Sequence, residues 1–217
     1  IREGNDGVYN VGDTKEIDLG SYGKHTLRIA NKSTPSECSN TNFSQSACGF
    51  VLEFADVITT HNMNDTATNV GGWSASSMYT FVNNDIYNVI PDKIKNAIID
   101  TTVVSGHGST SGEENFTSTD KLYLLTPGEI YSDWSTYQYA NDTAKDLTRT
   151  LDYYTNIGVT TNYSGAIKKN GTSPARWWLR ASGSRANRNF FGVSSNGRYN
   201  TDYATYTYGV APAFRLG

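Results

Sequence analysis

Residues 159–217 show no helical periodicity, and this feature constrains the fold of the chain more than any other. Gly, Asn, Ser and Tyr dominate the segment, a composition typical of short strands joined by long loops. Earlier in the chain, residues 24–30 alternate apolar and polar side chains, and residues 49–58 form a nearly continuous apolar run. Both patterns predict strands, and the second predicts one that is buried on both faces.

Helical patterns are confined to the middle of the chain. A helix is predicted after an N-cap at Ser74, and a short second helix is predicted from Pro91. The clearest pattern begins at Asp142 or Thr143 and ends at Gly158, a residue type that commonly terminates helices.

Composition favours a secreted or surface-displayed domain. Hydrophobic residues make up 37% of the chain and charged residues 18%, and Asn, Thr, Ser and Tyr fill the difference. No apolar run approaches the roughly 20 residues that span a bilayer. No linker or repeat divides the sequence, so we expect a single domain over residues 1–217, with residues 1–7 as a linker remnant of a longer protein. The expected location is extracellular.

The two cysteines lie in a loop-like stretch and suggest a local disulfide. A Cys38–Cys48 bond would close a short loop and contribute about 2.5–3 kcal/mol in an oxidising compartment. Two reduced thiols are the alternative. A metal site is not expected, because His25, His61 and His107 are scattered and match no zinc spacing.

Charge is distributed unevenly along the chain. The formal net charge is -3, yet the only acid after Asp152 is Asp202, against eight Lys and Arg residues, which gives the last 65 residues a charge of +7. An electropositive C-terminal third would favour an acidic ligand.

The most distinctive segment lies between two apolar flanks near the end of the chain, Arg176-Trp-Trp-Leu-Arg180 and Gly209-Val-Ala-Pro-Ala-Phe-Arg-Leu-Gly217. The residues predicted to be structural are Trp177, Trp178, Arg180 and Phe214. The predicted ligand-binding residues are aromatic, arginine or small and polar: Arg185, Asn187, Arg188, Asn189, Phe190, Ser195, Asn196, Arg198, Tyr199, Asn200, Asp202, Tyr203, Thr205 and Tyr206. Such residues are typical of adaptable binding surfaces. An ordinary loop-rich strand region with partly exposed tyrosines is the alternative.

These flanks, together with Gly71-Gly-Trp73-Ser-Ala-Ser-Ser-Met78 and Asn84-Asp-Ile-Tyr87, resemble a bacterial and phage surface-domain family. That family is related to the formylglycine-generating-enzyme type of C-type lectin fold, and it resembles the variable proteins of diversity-generating retroelements. The resemblance implies an α+β C-type lectin fold with short twisted strands, two or more helices and long ordered loops. It also implies a hypervariable region, residues 176–217, that recognises a protein or glycan ligand. The location that it implies is a bacterial cell surface or a phage virion.

One further pattern bears on the retroelement association. Adenine mutagenesis of AAY codons never yields Lys, Glu, Gln, Met or Trp, and none of these five residues occurs in residues 181–217. An unmutated strand region rich in Tyr and Asn would show the same absence.

Other functions are weaker expectations. Relatives of this fold include an oxidase that uses paired cysteines, but no cysteine follows Cys48, so we expect no enzyme activity and no cofactor. Calcium-dependent sugar binding needs several carboxylates, and Asp202 alone cannot provide them. A calcium-independent carbohydrate-binding or adhesin domain with a fixed ligand remains an alternative. Nucleic acid is an unlikely partner, although the basic and aromatic stretch would suit it by composition.

Overall fold

The structure is a computed structural model that describes residues 6–163 and 165–217. Strands hold 29% of the residues and helices 20%. Most of the expected linker remnant, residues 1–7, lies outside the described residues.

The strands are β1 Thr14–Asp18, β2 Lys24–Asn31, β3 Val51–Phe54, β4 Thr59–His61, β5 Thr101–Ser105, β6 Phe116–Asp120, β7 Lys168–Asn170, β8 Ser173–Ala175, β9 Trp177–Ser182, β10 Asn189–Val193, β11 Tyr199–Tyr203, β12 Tyr208–Val210 and β13 Ala213–Arg215. The α-helices are α1 Ser77–Phe81, α2 Tyr87–Val89, α3 Asp92–Lys95, α4 Pro127–Ile130 and α5 Asp152–Asn156, and a π-helical turn, Val82–Ile86, joins α1 to α2. Single 3₁₀ turns occur at Asp6–Val8, Gly20–Tyr22, Ser36–Ser39, Gln45–Ala47 and Trp134–Thr136.

Two sheets carry most of the strands. The four-stranded sheet has the order β1-β2-β3-β13 and is antiparallel throughout. The five-stranded sheet has the order β11-β10-β9-β12-β4, in which only the β9–β12 pair is parallel. Because β12 and β13 belong to different sheets, the C-terminal segment ties the two sheets together.

The predicted α+β class with a C-type lectin fold is wrong. The chain is mostly β, and its strands form several small sheets. No segment of regular α-helix among the described residues exceeds five residues. The largest departure concerns the helix predicted from Asp142 or Thr143 to Gly158, of which only α5 forms. Glu129 accounts for part of this difference, because its backbone carbonyl accepts from the Leu151 amide at 3.0 Å and its side chain accepts from the Thr148 hydroxyl at 3.0 Å.

The helix predicted near Ser74 begins slightly later. The Ser76 hydroxyl accepts a hydrogen bond from the Tyr79 amide at 3.0 Å and caps α1. Met78, Val82 and Ile86 are fully buried and anchor α1 and the π-helical turn to the core.

Cys38 and Cys48 form a disulfide, so this prediction is confirmed. Cys48 is fully buried and precedes β3, whereas Cys38 is half-buried. The bond therefore attaches a surface loop directly to the start of a core strand.

A buried ion cluster connects three strands. Glu53 of β3 accepts hydrogen bonds from Arg28 of β2, Lys168 of β7 and the Tyr154 hydroxyl, each at 2.8 Å. Burial by itself would raise the pKa of Glu53, but the charges of Arg28 and Lys168 lower this pKa to about 2. The carboxylate is therefore ionised in the core, and its partners fix β2 and β7 against β3.

Candidate functional site

The hairpin formed by β10 and β11 carries most of the predicted ligand-binding segment, and its turn is fixed from both sides. The Ser194 amide donates to the Arg198 carbonyl at 2.7 Å, and Gly197 has a φ of 84°, which favours glycine. From outside the hairpin, the Tyr131 hydroxyl donates to the Gly197 carbonyl at 2.9 Å. The turn is therefore held by a residue from a distant part of the chain.

Three of the residues predicted to be structural belong to β9, which pairs with β10 of the hairpin, and Phe214 belongs to β13 in the other sheet. Trp177, Trp178, Arg180 and Phe214 are all fully buried. Arg180 makes a bidentate ion pair with buried Glu129, with distances of 2.6 and 2.7 Å. The same guanidinium also donates to the Ser46 hydroxyl, in the 3₁₀ turn that ends just before Cys48.

Phe190 does not face solvent, so its inclusion among the binding residues was wrong. Its side chain is fully buried, as is that of Phe191. The reason is the position of β10, which lies between β9 and β11 and is covered on both faces. On one face, the Phe191 ring meets the edge of Trp134 at a centroid distance of 5.4 Å.

A groove of about 530 Å³ opens beside β11. Its size is within the range of roughly 300–1,000 Å³ that is common for small-ligand sites. The lining residues are Tyr137, Tyr139, Asn141, Thr161, Asn162, Arg185, Phe191, Arg198, Tyr199, Asn200 and Thr201. This lining combines aromatic rings, side-chain amides, hydroxyls and two guanidinium groups, and it contains no carboxylate.

Two hydroxyl groups meet in the groove. The Tyr137 and Tyr199 oxygens are 2.6 Å apart, and the two rings pack edge to face at 5.5 Å. Burial, followed by the hydrogen bond with Tyr137, raises the pKa of Tyr199 to about 12. The Tyr199 hydroxyl therefore stays neutral near pH 7. The hydrogen bond between the two hydroxyls uses one proton and leaves the other for a ligand.

One wall of the groove comes from loops outside the C-terminal segment. Asp133 holds these loops together, because its carboxylate accepts from the Thr161 amide at 2.8 Å and from the Thr161 hydroxyl at 2.6 Å. Tyr137 and Tyr139, whose rings pack edge to face at 5.5 Å, follow Asp133 along the chain.

A second exposed feature begins at the last residue of β11. Tyr203 and Tyr206 are 37% and 44% exposed, and their rings pack at 5.6 Å. Arg188 lies over the Tyr203 ring at 4.8 Å, and Tyr206 contacts Tyr208 at 6.1 Å. We call Tyr203, Tyr206 and Tyr208 the tyrosine ridge.

The ridge is bounded by a charged cluster. Asp202 pairs with Arg176 at 3.0 Å and accepts from the Tyr208 hydroxyl at 2.8 Å and from the Asn200 amide at 2.7 Å. Asp202 is thus occupied by protein partners, which makes it a positioning residue for the ridge.

The positive charge at the surface is smaller than the sequence count of +7. Lys168 and Arg180 are buried against Glu53 and Glu129, acids from the preceding part of the chain. The exposed arginines in or next to the hairpin are Arg185, Arg188 and Arg198.

The predicted ligand-binding residues are divided among several places. Arg185, Arg198, Tyr199 and Asn200 line the groove. Tyr203 and Tyr206 belong to the ridge. The remaining exposed predicted residues lie on loops: Asn187, Arg188, Ser195, Asn196 and Thr205. Asn189 is half-buried at the start of β10.

Sequence reasoning missed the opposite wall, which comprises Tyr137, Tyr139, Asn141, Thr161 and Asn162. A usable signal was present in the run Tyr-Gln-Tyr at residues 137–139, which places two aromatic side chains in a polar stretch.

Residues 50–217, more than three quarters of the chain, match the family model of DUF6273, a domain of unknown function. The chain belongs to the DUF6273 family. The matched region includes every residue that lines the groove. No curated protein and no solved structure matches the chain.

Within residues 6–163 and 165–217, no group of three or more His, Cys, Asp or Glu side chains could hold a metal ion. The same residues include no helix with the length and apolar character that crossing a bilayer requires.

Proposed function

We propose that this DUF6273 domain is a non-enzymatic module that binds a polar, acidic ligand, either a protein or a glycan, in the groove beside β11. The observation that carries the proposal is the chemistry of the groove lining. Tyrosine rings offer rigid area at low entropic cost, amides offer adaptable hydrogen bonds, and arginines favour carboxylate, sulfate or phosphate groups. Two guanidinium groups without a lining carboxylate make the groove complementary to an anion.

The lining also supports a role without catalysis. It contains no carboxylate, histidine or cysteine, the groups that most often supply proton transfer or nucleophilic attack. The Cys38–Cys48 disulfide supports a location outside the cytosol, on a cell or virion surface.

The groove can be tested with a panel of immobilised acidic and neutral glycans together with poly-L-glutamate. We expect an acidic probe to bind, and we expect Arg198→Ala and Tyr139→Ala to weaken that binding at least fivefold, because both side chains line the groove. Melting temperatures of the variants should stay close to that of the wild type, since both residues are exposed.

Lys169→Ala and Tyr9→Ala are the matched controls. Both residues are exposed and lie outside the groove lining, so these variants should bind as the wild type does. A panel without any bound probe, or binding that the groove variants leave unchanged, would contradict the proposal.

We also propose that the C-terminal segment is hypervariable. The absence of Lys, Glu, Gln, Met and Trp from residues 181–217 supports this idea. The encoding DNA tests it: we expect a near-identical copy of the 3' end that differs only at adenines, beside a reverse-transcriptase gene. A gene neighbourhood without such a copy would contradict the proposed association with a diversity-generating retroelement.

A further inference from the structure

The strand β11 is an edge of the five-stranded sheet, and it lacks the features that usually protect such edges. Folded proteins protect exposed edges with charged residues, proline, bulges or very short strands. The edge strand β1 carries Lys15, Glu16 and Asp18, and the edge strand β4 has only three residues. By contrast, β11 pairs regularly with β10 over five residues and carries a single charge, Asp202.

The backbone of β11 has free hydrogen-bonding groups at its centre. The Ala204 amide donates to the Arg188 carbonyl at 2.9 Å, and the Ser194 amide donates to the Arg198 carbonyl at 2.7 Å. Hydrogen-bonded pairs of an antiparallel ladder recur at every second residue, so even-numbered residues of β11 direct their amide and carbonyl toward β10. Thr201 therefore directs both groups away from the sheet.

Within the described ranges, no protein group is hydrogen-bonded to the amide or the carbonyl of Thr201. Tyr199 shares the outward orientation, two residues earlier. At Tyr203 the outward carbonyl is already occupied, because it accepts from the Tyr206 amide at 2.9 Å. The open part of the edge is thus the segment from Tyr199 to Thr201.

This open segment coincides with the groove. Three consecutive residues, Tyr199, Asn200 and Thr201, line it. Neighbouring side chains of a strand point to opposite faces, so contact with all three places part of the groove beside the backbone edge of β11. Contact with Phe191 of β10 places the rest over one face of the sheet. The part beside the edge is where a strand of a ligand would lie, and Tyr139 and Asn162 also line the groove.

The charges around the groove indicate which side chains a bound ligand strand would have. Arg185 belongs to the β9–β10 connection and Arg198 to the β10–β11 turn, and these two loops lie at opposite ends of β10. An extended segment in the groove would thus meet a guanidinium group at each end, which favours acidic side chains in the segment.

We propose that the ligand of the groove is an extended acidic polypeptide segment that pairs with the edge of β11 through the backbone groups of Tyr199 and Thr201. This inference rests on the proposed groove function and narrows it to one ligand class. In this binding mode, main-chain hydrogen bonds supply the affinity, and the arginines and tyrosines select the side chains.

The test uses a displayed library of ten-residue peptides with glutamate fixed at both ends and the other positions randomised. A selected peptide is then measured against the wild type, Thr201→Pro and Lys169→Ala, which changes an exposed residue outside the groove lining. Proline removes the outward amide of Thr201 but leaves every bond to β10, so the hairpin should remain folded. We expect at least tenfold weaker binding to Thr201→Pro and binding within about twofold of the wild type for Lys169→Ala.

A second measurement does not depend on the folding of a variant. Methylation of single backbone amides of the peptide should weaken binding to the wild type at alternate positions only, because alternate amides of a strand face its partner. This pattern is expected even if Thr201→Pro proves unstable.

Three outcomes would overturn the inference: no peptide is selected, Thr201→Pro binds as the wild type does, or methylation has no alternating effect. A glycan that requires Arg198 and Tyr139 but binds equally well to Thr201→Pro would also overturn it, while the proposed function of the groove would stand.

Discussion

At the scale of single residues, Asp120 is the carboxyl group least suited to its surroundings. It is fully buried at the end of β6, where the Trp73 indole donates to one of its oxygens at 2.8 Å. The other oxygen has no hydrogen-bond partner among the described residues. Burial raises the pKa of Asp120 from its ordinary value of 3.8 to about 6, although the bond from Trp73 opposes the change.

Because Asp120 is buried, its ionisation destabilises the folded state, and the size of this effect depends on pH. An acid whose folded-state pKa exceeds its unfolded value favours folding at low pH. The free energy of unfolding therefore falls as pH rises from 3.8 to about 6, and it levels off above that pH. We expect Asp120→Asn to raise the free energy of unfolding by up to about 3 kcal/mol at pH 7.5. The gain should shrink toward zero below about pH 4, which urea unfolding at several pH values can measure.

Asp85→Asn is the control for this experiment, because Asp85 is exposed and should change the free energy of unfolding by less than about 0.5 kcal/mol. A gain from Asp120→Asn that does not vary with pH would show that the carboxyl group is not the cause.

At the scale of secondary structure, the sequence predicted the strands better than the helices. Strand patterns such as that of residues 24–30 depend on the alternation of apolar and polar side chains, and this segment forms β2. The predicted helix ending at Gly158 failed because the contacts that remodel its first part are distant in sequence. The Ser44 amide donates to the Leu147 carbonyl at 2.8 Å, and the Thr150 hydroxyl donates to the Gly128 carbonyl at 3.2 Å. Periodicity within one segment contains no information about such partners.

The candidate site shows the same limit. Arg185, Arg198 and Tyr199 were predicted because they lie in one unusual stretch of sequence. The opposite wall depends on the bonds between Asp133 and Thr161, which join two loops 28 residues apart. The sequence also could not predict that Phe190 is buried. An aromatic residue in a Tyr-rich strand gives the same sequence pattern whether its face of the sheet is exposed or covered.

The disulfide gives a prediction for the loop that precedes β3. Replacing the pair by Cys38→Ser and Cys48→Ala should lower the free energy of unfolding by about 2.5–3 kcal/mol, because the unfolded chain regains the entropy of an open loop. Urea unfolding of the double variant measures the loss, and the wild type with added reductant should show the same loss. A change below about 1 kcal/mol would contradict this estimate.

At the scale of the whole molecule, the family match and the folded unit have different boundaries. The match begins at residue 50, but β2 precedes it and pairs with β3 over the middle of the four-stranded sheet. Arg28 supplies part of the charge that compensates Glu53, and Ser46 donates to Glu129 in the cluster around Arg180. Residues before the match therefore complete the core of the matched region.

We predict that a fragment of residues 50–217 does not fold by itself. Without β2 it exposes the apolar face of β3 and leaves Glu53 without Arg28, and losing one partner of a buried ion pair costs about 3–5 kcal/mol. Thermal unfolding followed by circular dichroism should show one cooperative transition for the full chain and none for the fragment. A cooperative transition in the fragment would contradict the prediction.

The two walls of the groove have separate origins in the chain, residues 137–162 on one side and residues 185–201 on the other. Substitutions that accumulate in the hairpin change only one of these walls. Two homologues that differ in the hairpin alone would therefore bind overlapping sets of ligands. Competition between them would measure how much of the recognition comes from the wall formed by residues 137–162.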